Sequence, residues 1–310
     1  MSLISVVIPT FEEEQNIQDL ISEVEKQFET IEQNYEIIVI DNCSKDKTVE
    51  IVKNLINKNK KIKLIVNNKN YGHLKSPFYG LMQTKGDATI LLNADFQDPP
   101  ELIKELVLRW KNGKEIVLLQ KNNSKESKIK FFLREFFYKI LNSISENKLT
   151  INTTGSGIFD KKIIEHLKKI SDPYPYFRGL LAEIGPKIDL LPFDQPVRKF
   201  GSSKNNFFTL YDVAMLGIVK HSKIPLRVIT ILGLITSFFS LLASLIFLIL
   251  KLTNWNNYSI GIAPMLIGIF AVGGFQLFFL GILGEYVLVI LNQVRNLPLV
   301  IEKERINFDN

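Results

Sequence analysis

The chain has 310 residues, 46% of them hydrophobic, with 38 Lys and Arg against 32 Asp and Glu for a net charge of +6; it is too apolar to be disordered and long enough for one large domain with an appendage. Its single cysteine excludes an internal disulfide and suits a reducing compartment, while the positive balance favours an anionic partner such as a membrane surface or a phosphate. No nucleic-acid motif or aromatic-basic interleaving is present, so no nucleic acid is expected as partner.

Leu3 to Pro9 is apolar, too short for a signal peptide and without its basic flank, and reads as a first strand. Ile17, Leu20, Ile21, Val24, Phe28 and Ile31 follow at helical spacing. Tyr35 to Ile40 is the second strand, and Ser44 or Asp46 caps a helix carrying Val49, Val52, Leu55 and Ile56. Ile62 to Val66 is the third strand, followed by a helix from about Leu74 to Gln83 and a strand from Ala88 to Asn93. A helix over Glu101 to Trp110 and a strand over Glu115 to Leu119 continue the alternation, which predicts an α/β fold with a mainly parallel sheet covered by helices on both faces.

From Ser124 to Ser145 the pattern becomes that of an amphipathic helix with five aromatic rings and five basic residues, which either packs on the sheet or lies at a membrane interface. Thr153 to Gly157 reads as a glycine-bearing loop, and Asn205 to His221 as a second amphipathic helix at the interface. Val228 to Leu250 and Ser259 to Gly284 contain no charged residue, and each exceeds the roughly 20 residues a helix needs to cross about 30 Å of hydrocarbon. Lys220, Lys223 and Arg227 before the pair, and Arg295, Lys303 and Arg305 after it, outnumber Lys251 in the link, so the positive-inside rule puts both flanks in the cytoplasm. The expected organisation is a cytoplasmic α/β domain over 1–204, a juxtamembrane segment over 205–227, two transmembrane helices within 228–292 and a cytoplasmic tail over 293–310. Gly261, Gly268, Gly273, Gly274, Gly281 and Gly284 in the second span would allow close helix contacts and so a homo-oligomer.

The chemistry concentrates where strands end. Asn93-Ala94-Asp95-Phe96-Gln97-Asp98-Pro99-Pro100 places two carboxylates and a Gln carbonyl after a buried-type strand: either a seat for a hard divalent cation carrying a diphosphate, or a polar turn ended by two prolines. Asp41-Asn42 ends the second strand, where the carboxylate accepts from a ribose or base, or the pair forms a cap or turn. The junction Pro9-Thr10-Phe11-Glu12-Glu13-Glu14 lacks the glycine-rich dinucleotide and P-loop patterns, and its acidity would repel a bare phosphate.

Ser5 to Glu14, Ile40-Asp41-Asn42, Asn70-Tyr71-Gly72, Ala94 to Glu101 and the basic turn Arg198-Lys199-Phe200-Gly201-Ser202-Ser203-Lys204 together resemble the family 2 glycosyltransferases of the polyprenyl-phosphate branch, over nearly the whole chain. The resemblance implies a GT-A type nucleotide-binding domain, a nucleotide-sugar donor (UDP-sugar from the two-span architecture), a polyprenyl-phosphate acceptor and Mg²⁺ or Mn²⁺. It implies that Pro9, Glu12, Asp41 and Asn70 line the nucleotide pocket, that Asp95 with Gln97 and Asn93 holds the metal, and that Lys121, Arg134, Arg198 and Lys204 bind phosphate. Asp98 would position the sugar or acceptor, with Glu183 a weaker base candidate. The chain departs from the family at Asn93, where an acidic residue is usual, and at Thr153 to Phe159, where many relatives carry an acidic residue and an Arg. Two alternatives are a transferase acting on another lipid or a polysaccharide, and a non-catalytic nucleotide-sugar-binding scaffold on a degenerate transferase fold.

Overall fold

The computed structural model describes residues 2–122, 150, 153–170, 172–184, 187–196, 207–253, 262–295 and 297–308. Eight strands form one sheet: β1 (Leu3–Thr10), β2 (Asn34–Asp41), β3 (Ile62–Asn67), β4 (Ala88–Leu91), β5 (Ile116–Lys121), β6 (Thr153–Asp160), β7 (Asp189–Phe193) and β8 (Glu302–Ile306), in the order β7-β5-β6-β4-β1-β2-β3-β8. β1 pairs in parallel with β2 and β4, β2 with β3, and β5 with β7; the pairings of β6 with β4 and β5, and of β8 with β3, are antiparallel.

The helices α1 (Ile17–Thr30), α2 (Thr48–Lys58), α3 (Gly72–Met82), α4 (Ile103–Lys111), α5 (Lys161–Lys169) and α6 (Phe177–Ile184) flank the sheet. The period-2 alternation of the strands sorts the core into two layers. Ile4, Val6, Ile8, Ile37 and Val39 face one cluster, closed by Leu20 and Val24 of α1, Val52 of α2 and Leu106 of α4. Val7, Ile38 and Ile40 face the other, closed by Phe78 of α3, Leu167 of α5 and Leu181 of α6. Both faces of the central strands are dry, which is why their sequences are almost uninterrupted runs of Ile and Val.

Two expectations are corrected. Thr153 to Gly157 is not a loop but the start of β6, which enters between β4 and β5. Its Gly157 sits where a Cβ would come within 2.0 Å of the Val117 carbonyl oxygen, so the close strand approach requires glycine. The alternation rule missed this strand because small and polar residues fill its first half. The segment expected as a tail supplies β8, which covers the β3 edge and removes an open row of backbone donors and acceptors.

Beyond the sheet come α7 (Phe207–His221), α8 (Ile224–Thr253) and α9 (Ile262–Val294). α7 packs back toward the sheet and its helices: Leu216 is buried with Tyr176, beside Leu74 of α3 and Val289 of α9. Nearby, the Lys220 ammonium donates to both Asp172 carboxylate oxygens at 2.6 Å and to the Tyr174 carbonyl at 2.8 Å. Among the described residues, Val272–Val294 is by itself long and apolar enough to cross a membrane, and Ala214–Lys220 with Ile224–Phe239 passes the same measure only as a bent pair. The second apolar helix continues past Glu285, whose carboxylate accepts from the Tyr211 hydroxyl at 3.5 Å.

Candidate functional site

The chain runs from β1 outward through β2 to β3, and β4 lies on the other side of β1. That reversal opens a crevice beyond the carboxyl ends of β1 and β4, where open α/β sheets bind ligands. Pro9, Glu12, Asp41 and Asn93 to Asp98 all come from strands ending at this edge. Three residues there, Glu12, Cys43 and Phe96, hold positive φ angles of 56°, 67° and 58°. Such backbone is unfavourable for side chains larger than glycine and clusters at binding sites.

On the β2 side, Asp41 is 0% exposed. Its carboxylate accepts from the Ser44 amide at 2.9 Å, the Ser44 hydroxyl at 2.5 Å and the Thr10 hydroxyl at 3.3 Å. Burial pushes its pKa up, the hydrogen bonds from Ser44 and Thr10 pull it down, and the negative Asp46 adds to the rise; the net direction is upward. The Ser44 hydroxyl also accepts the Glu12 amide at 2.8 Å, stitching the β1 and β2 loops together. Asn42 then reaches the β3 loop: its amide donates to Asn70 Oδ1 at 2.9 Å and its carbonyl accepts the Tyr71 amide at 2.8 Å. Asp41 and Asn70, predicted on separate motifs, are therefore neighbours through Asn42, and Asn70 itself is exposed at the rim.

On the β4 side, the Asn93 amide donates to Asp98 Oδ2 at 2.7 Å and to the Ser156 hydroxyl oxygen at 3.1 Å, and the Ser156 hydroxyl donates to the same Asp98 oxygen at 2.6 Å. A carboxylate only accepts, so these bonds turn the Asn93 amide nitrogen toward Asp98 and leave the Asn93 carbonyl for other work. Asp98, expected to position the sugar or acceptor, is 0% exposed and bonds Asn93 and Ser156. Its pKa is raised, first by burial and then by the Asp95 charge, against hydrogen bonds from Ser156 and Asn93 and the positive Lys121. Asn93, Asp95, Asp98 and Lys121 are thus brought together, the last from the end of β5.

Asp95 Oδ1 accepts the Gln97 amide at 3.1 Å, a tight turn around Phe96, whose ring packs against the core. The donor set of Asp95 carboxylate with Asn93 and Gln97 carbonyls is all oxygen with one formal charge. It fits a hard cation that keeps waters and takes its remaining ligands from a diphosphate. Among the described residues no group of three His, Cys, Asp or Glu could hold a metal, so this candidate set rests on one carboxylate and neutral carbonyls. Asp98 Oδ1, buried beside them, has no hydrogen-bond partner.

Glu183 lies exposed on α6, and Arg134, Arg198 and Lys204 fall outside the described residues. Ser156 is the site residue that reading the sequence missed. The polar Ser between Gly155 and Gly157 was the available signal, but only strand pairing of β6 with β4 brings it to the end of β4, where it bonds Asp98.

The description "Glycosyl transferase family 2" matches residues 5–168, the span that supplies β1 to β6 and every described group of this crevice. The chain belongs to that family. As a family 2 glycosyltransferase it is 34% identical to an uncharacterized glycosyltransferase of Synechocystis sp. over 297 residues, 96% of this chain and 93% of that one. It is 31% identical to the bactoprenol glucosyl transferase of Shigella phage SfX over 303 residues, covering 97% and 99%. The fold resembles glucosyl-3-phosphoglycerate synthase from Mycobacterium tuberculosis, solved with Mn²⁺, UDP and glucosyl-3-phosphoglycerate, with a TM-score of 0.52 at 16% identity over 70% of this chain and 78% of that one.

Proposed function

We propose that this glycosyltransferase is membrane-bound and inverting, moving one sugar from a UDP-sugar to a polyprenyl phosphate on the cytoplasmic face. The observation that carries the reading is the likeness to a bactoprenol glucosyl transferase along almost the whole of both chains, apolar helices included. A catalytic domain joined through buried contacts to helices covered in exposed apolar side chains suits an acceptor that never leaves the bilayer.

In this reading Asp41 and Asn70 hold the nucleoside, and Asp95 with Asn93 and Gln97 holds Mg²⁺ or Mn²⁺, which when bound supplies neutralising charge to the diphosphate. Lys121 adds a fixed positive charge at the same edge. Arg134, Arg198 and Lys204 bind the acceptor or leaving-group phosphate. The acceptor is a phosphate monoester whose second pKa is near 6, so at cytoplasmic pH it is largely a dianion and needs little help from a general base. Its oxygen attacks the anomeric carbon, forming the new C–O bond as the bond to the nucleoside diphosphate breaks, with inversion.

Membranes containing the protein, polyprenyl phosphate and radiolabelled nucleotide sugars, followed by mass analysis of the lipid, test this directly. The expected product is polyprenyl phosphate bearing one sugar, formed from a UDP-sugar. Label appearing only in polymer, or none with any donor, would overturn the reading.

A further inference from the structure

The end of the chain returns from the last apolar helix to the nucleotide side of the site. α9 stops at Val294, and by Glu302 the chain is a strand paired with β3. Between them, Ile301 makes two bonds to the 67–72 loop: its carbonyl accepts the Asn68 amide at 3.0 Å and its amide donates to the Tyr71 hydroxyl at 3.1 Å. That hydroxyl donates in turn to Asn68 Oδ1 at 2.7 Å. The Tyr71 amide is fixed from the opposite side by Asn42, whose own amide donates to Asn70 and to the Gly72 carbonyl.

The 67–72 loop is therefore clamped between the residue following Asp41 and the segment following the last apolar helix. Farther along, β8 is fastened by groups remote from the loop tip: Lys53 donates to Glu304 at 2.7 Å, Tyr79 to Glu302 at 2.9 Å and Arg305 to Gln83 at 2.7 Å.

We infer that the C-terminal strand is a positioning strap, with Tyr71 the positioning residue through which the membrane-proximal end of the chain sets the Asn70 loop for nucleotide binding. The strap holds the loop in the conformation that binds, so the protein spends less of its time in conformations that do not. The inference rests on the nucleotide-sugar reading of this edge but concerns a contact that reading does not use. Nothing in the reaction itself requires the chain terminus to touch this loop.

The test uses the purified full-length protein in detergent, titrated calorimetrically with UDP in the presence of Mn²⁺ and assayed for donor KM and kcat. Tyr71→Phe keeps the ring and removes the hydroxyl. Ile301→Pro removes the amide on the strap side and leaves the loop sequence unchanged. Each should weaken UDP binding and raise donor KM about fivefold, the effect of one hydrogen bond, with kcat and acceptor KM within about twofold of wild type. Glu304→Gln, on the strand but away from the loop, should move neither.

Wild-type UDP affinity in Tyr71→Phe overturns the inference. So does a loss in Tyr71→Phe that Ile301→Pro fails to reproduce, because Tyr71 would then act by touching the ligand. Equal losses in all three variants also overturn it, as general destabilisation. If the wild type binds GDP and not UDP, the UDP assignment fails and the same comparison made with GDP decides the strap. If the wild type binds no nucleotide, both fall.

Discussion

The sheet and the two long helices are built from similar apolar residues and treat them in opposite ways. In β1 and β2 the side chains of Ile4, Val6, Val7, Ile38 and Ile40 are 0% exposed, whereas on α9 Leu277 is 71% and Phe278 60% exposed. A sheet with helices on both faces satisfies its own hydrophobic surface; the helix pair satisfies its backbone and leaves large apolar side chains exposed. Polar side chains follow the same division. In the catalytic half they stitch loop to loop across the strand ends, as Ser44, Asn42 and Ser156 do. On α8, Thr230, Thr236 and Thr253 fold back instead on carbonyls three or four residues earlier in their own helix.

The largest expected effect lies at the crevice. Asp95→Ala should lower sugar transfer by at least ~100-fold while leaving membrane insertion and thermal unfolding unchanged, because it removes electrostatic stabilisation of the departing diphosphate. Transfer at the wild-type rate would remove Asp95 from the metal site. Next comes Gly157→Ala. A Cβ 2.0 Å from the Val117 oxygen forces β5 and β6 apart, at a cost of roughly 3 kcal/mol or more. The urea midpoint should fall accordingly. Gly274→Ala, with nothing near its added carbon, serves as the contrast and should not shift it.

Leu277→Arg tests the helix pair. In water so exposed a position tolerates charge, but near the centre of a bilayer the change costs about 2.5–3.5 kcal/mol. A reduced fraction of carbonate-resistant, membrane-integrated protein is expected, and an unchanged fraction would break the contrast between the two regions.

The smallest effect is a pH dependence inside the sheet. Burial would raise the Glu36 pKa, but hydrogen bonds from Lys63 and Ser5 together with the Lys63 charge hold it below its ordinary value. A folded-state pKa below the unfolded one contributes stability that is fully present above the unfolded value, near 4.5, and lost as pH falls through the folded value. Stability against urea should therefore fall more between pH 6 and pH 3 in wild type than in Glu36→Gln.

How far the site was legible depended on where its information lies. The segment from Asn93 to Asp98 could be read because its carboxylates and amides are contiguous and follow an apolar run. Its internal division of labour could not: Asp98 looked as available as Asp95 until β6 delivered Ser156 and buried it. Asn93 looked like a lost charge, but its amide meets the Asp98 carboxylate, where an ionised Asp would face a second negative group. Tyr71 belonged to a recognised Asn-Tyr-Gly motif, but nothing in that motif pointed to its partner Ile301, 230 residues away.

By itself the sequence determined the quantities that local periodicity and composition carry: the strands from Leu3 to Leu91, the helices between them, the two long apolar helices and the acidic ends of β1, β2 and β4. The tertiary structure alone decided the strand order, the antiparallel entry of β6, the return of β8 to the β3 edge and the turning of Asn93 toward Asp98. The physical reason is that a side chain's burial preference is written in its nearest neighbours, whereas a hydrogen-bond register between distant strands depends on the free energy of the whole sheet.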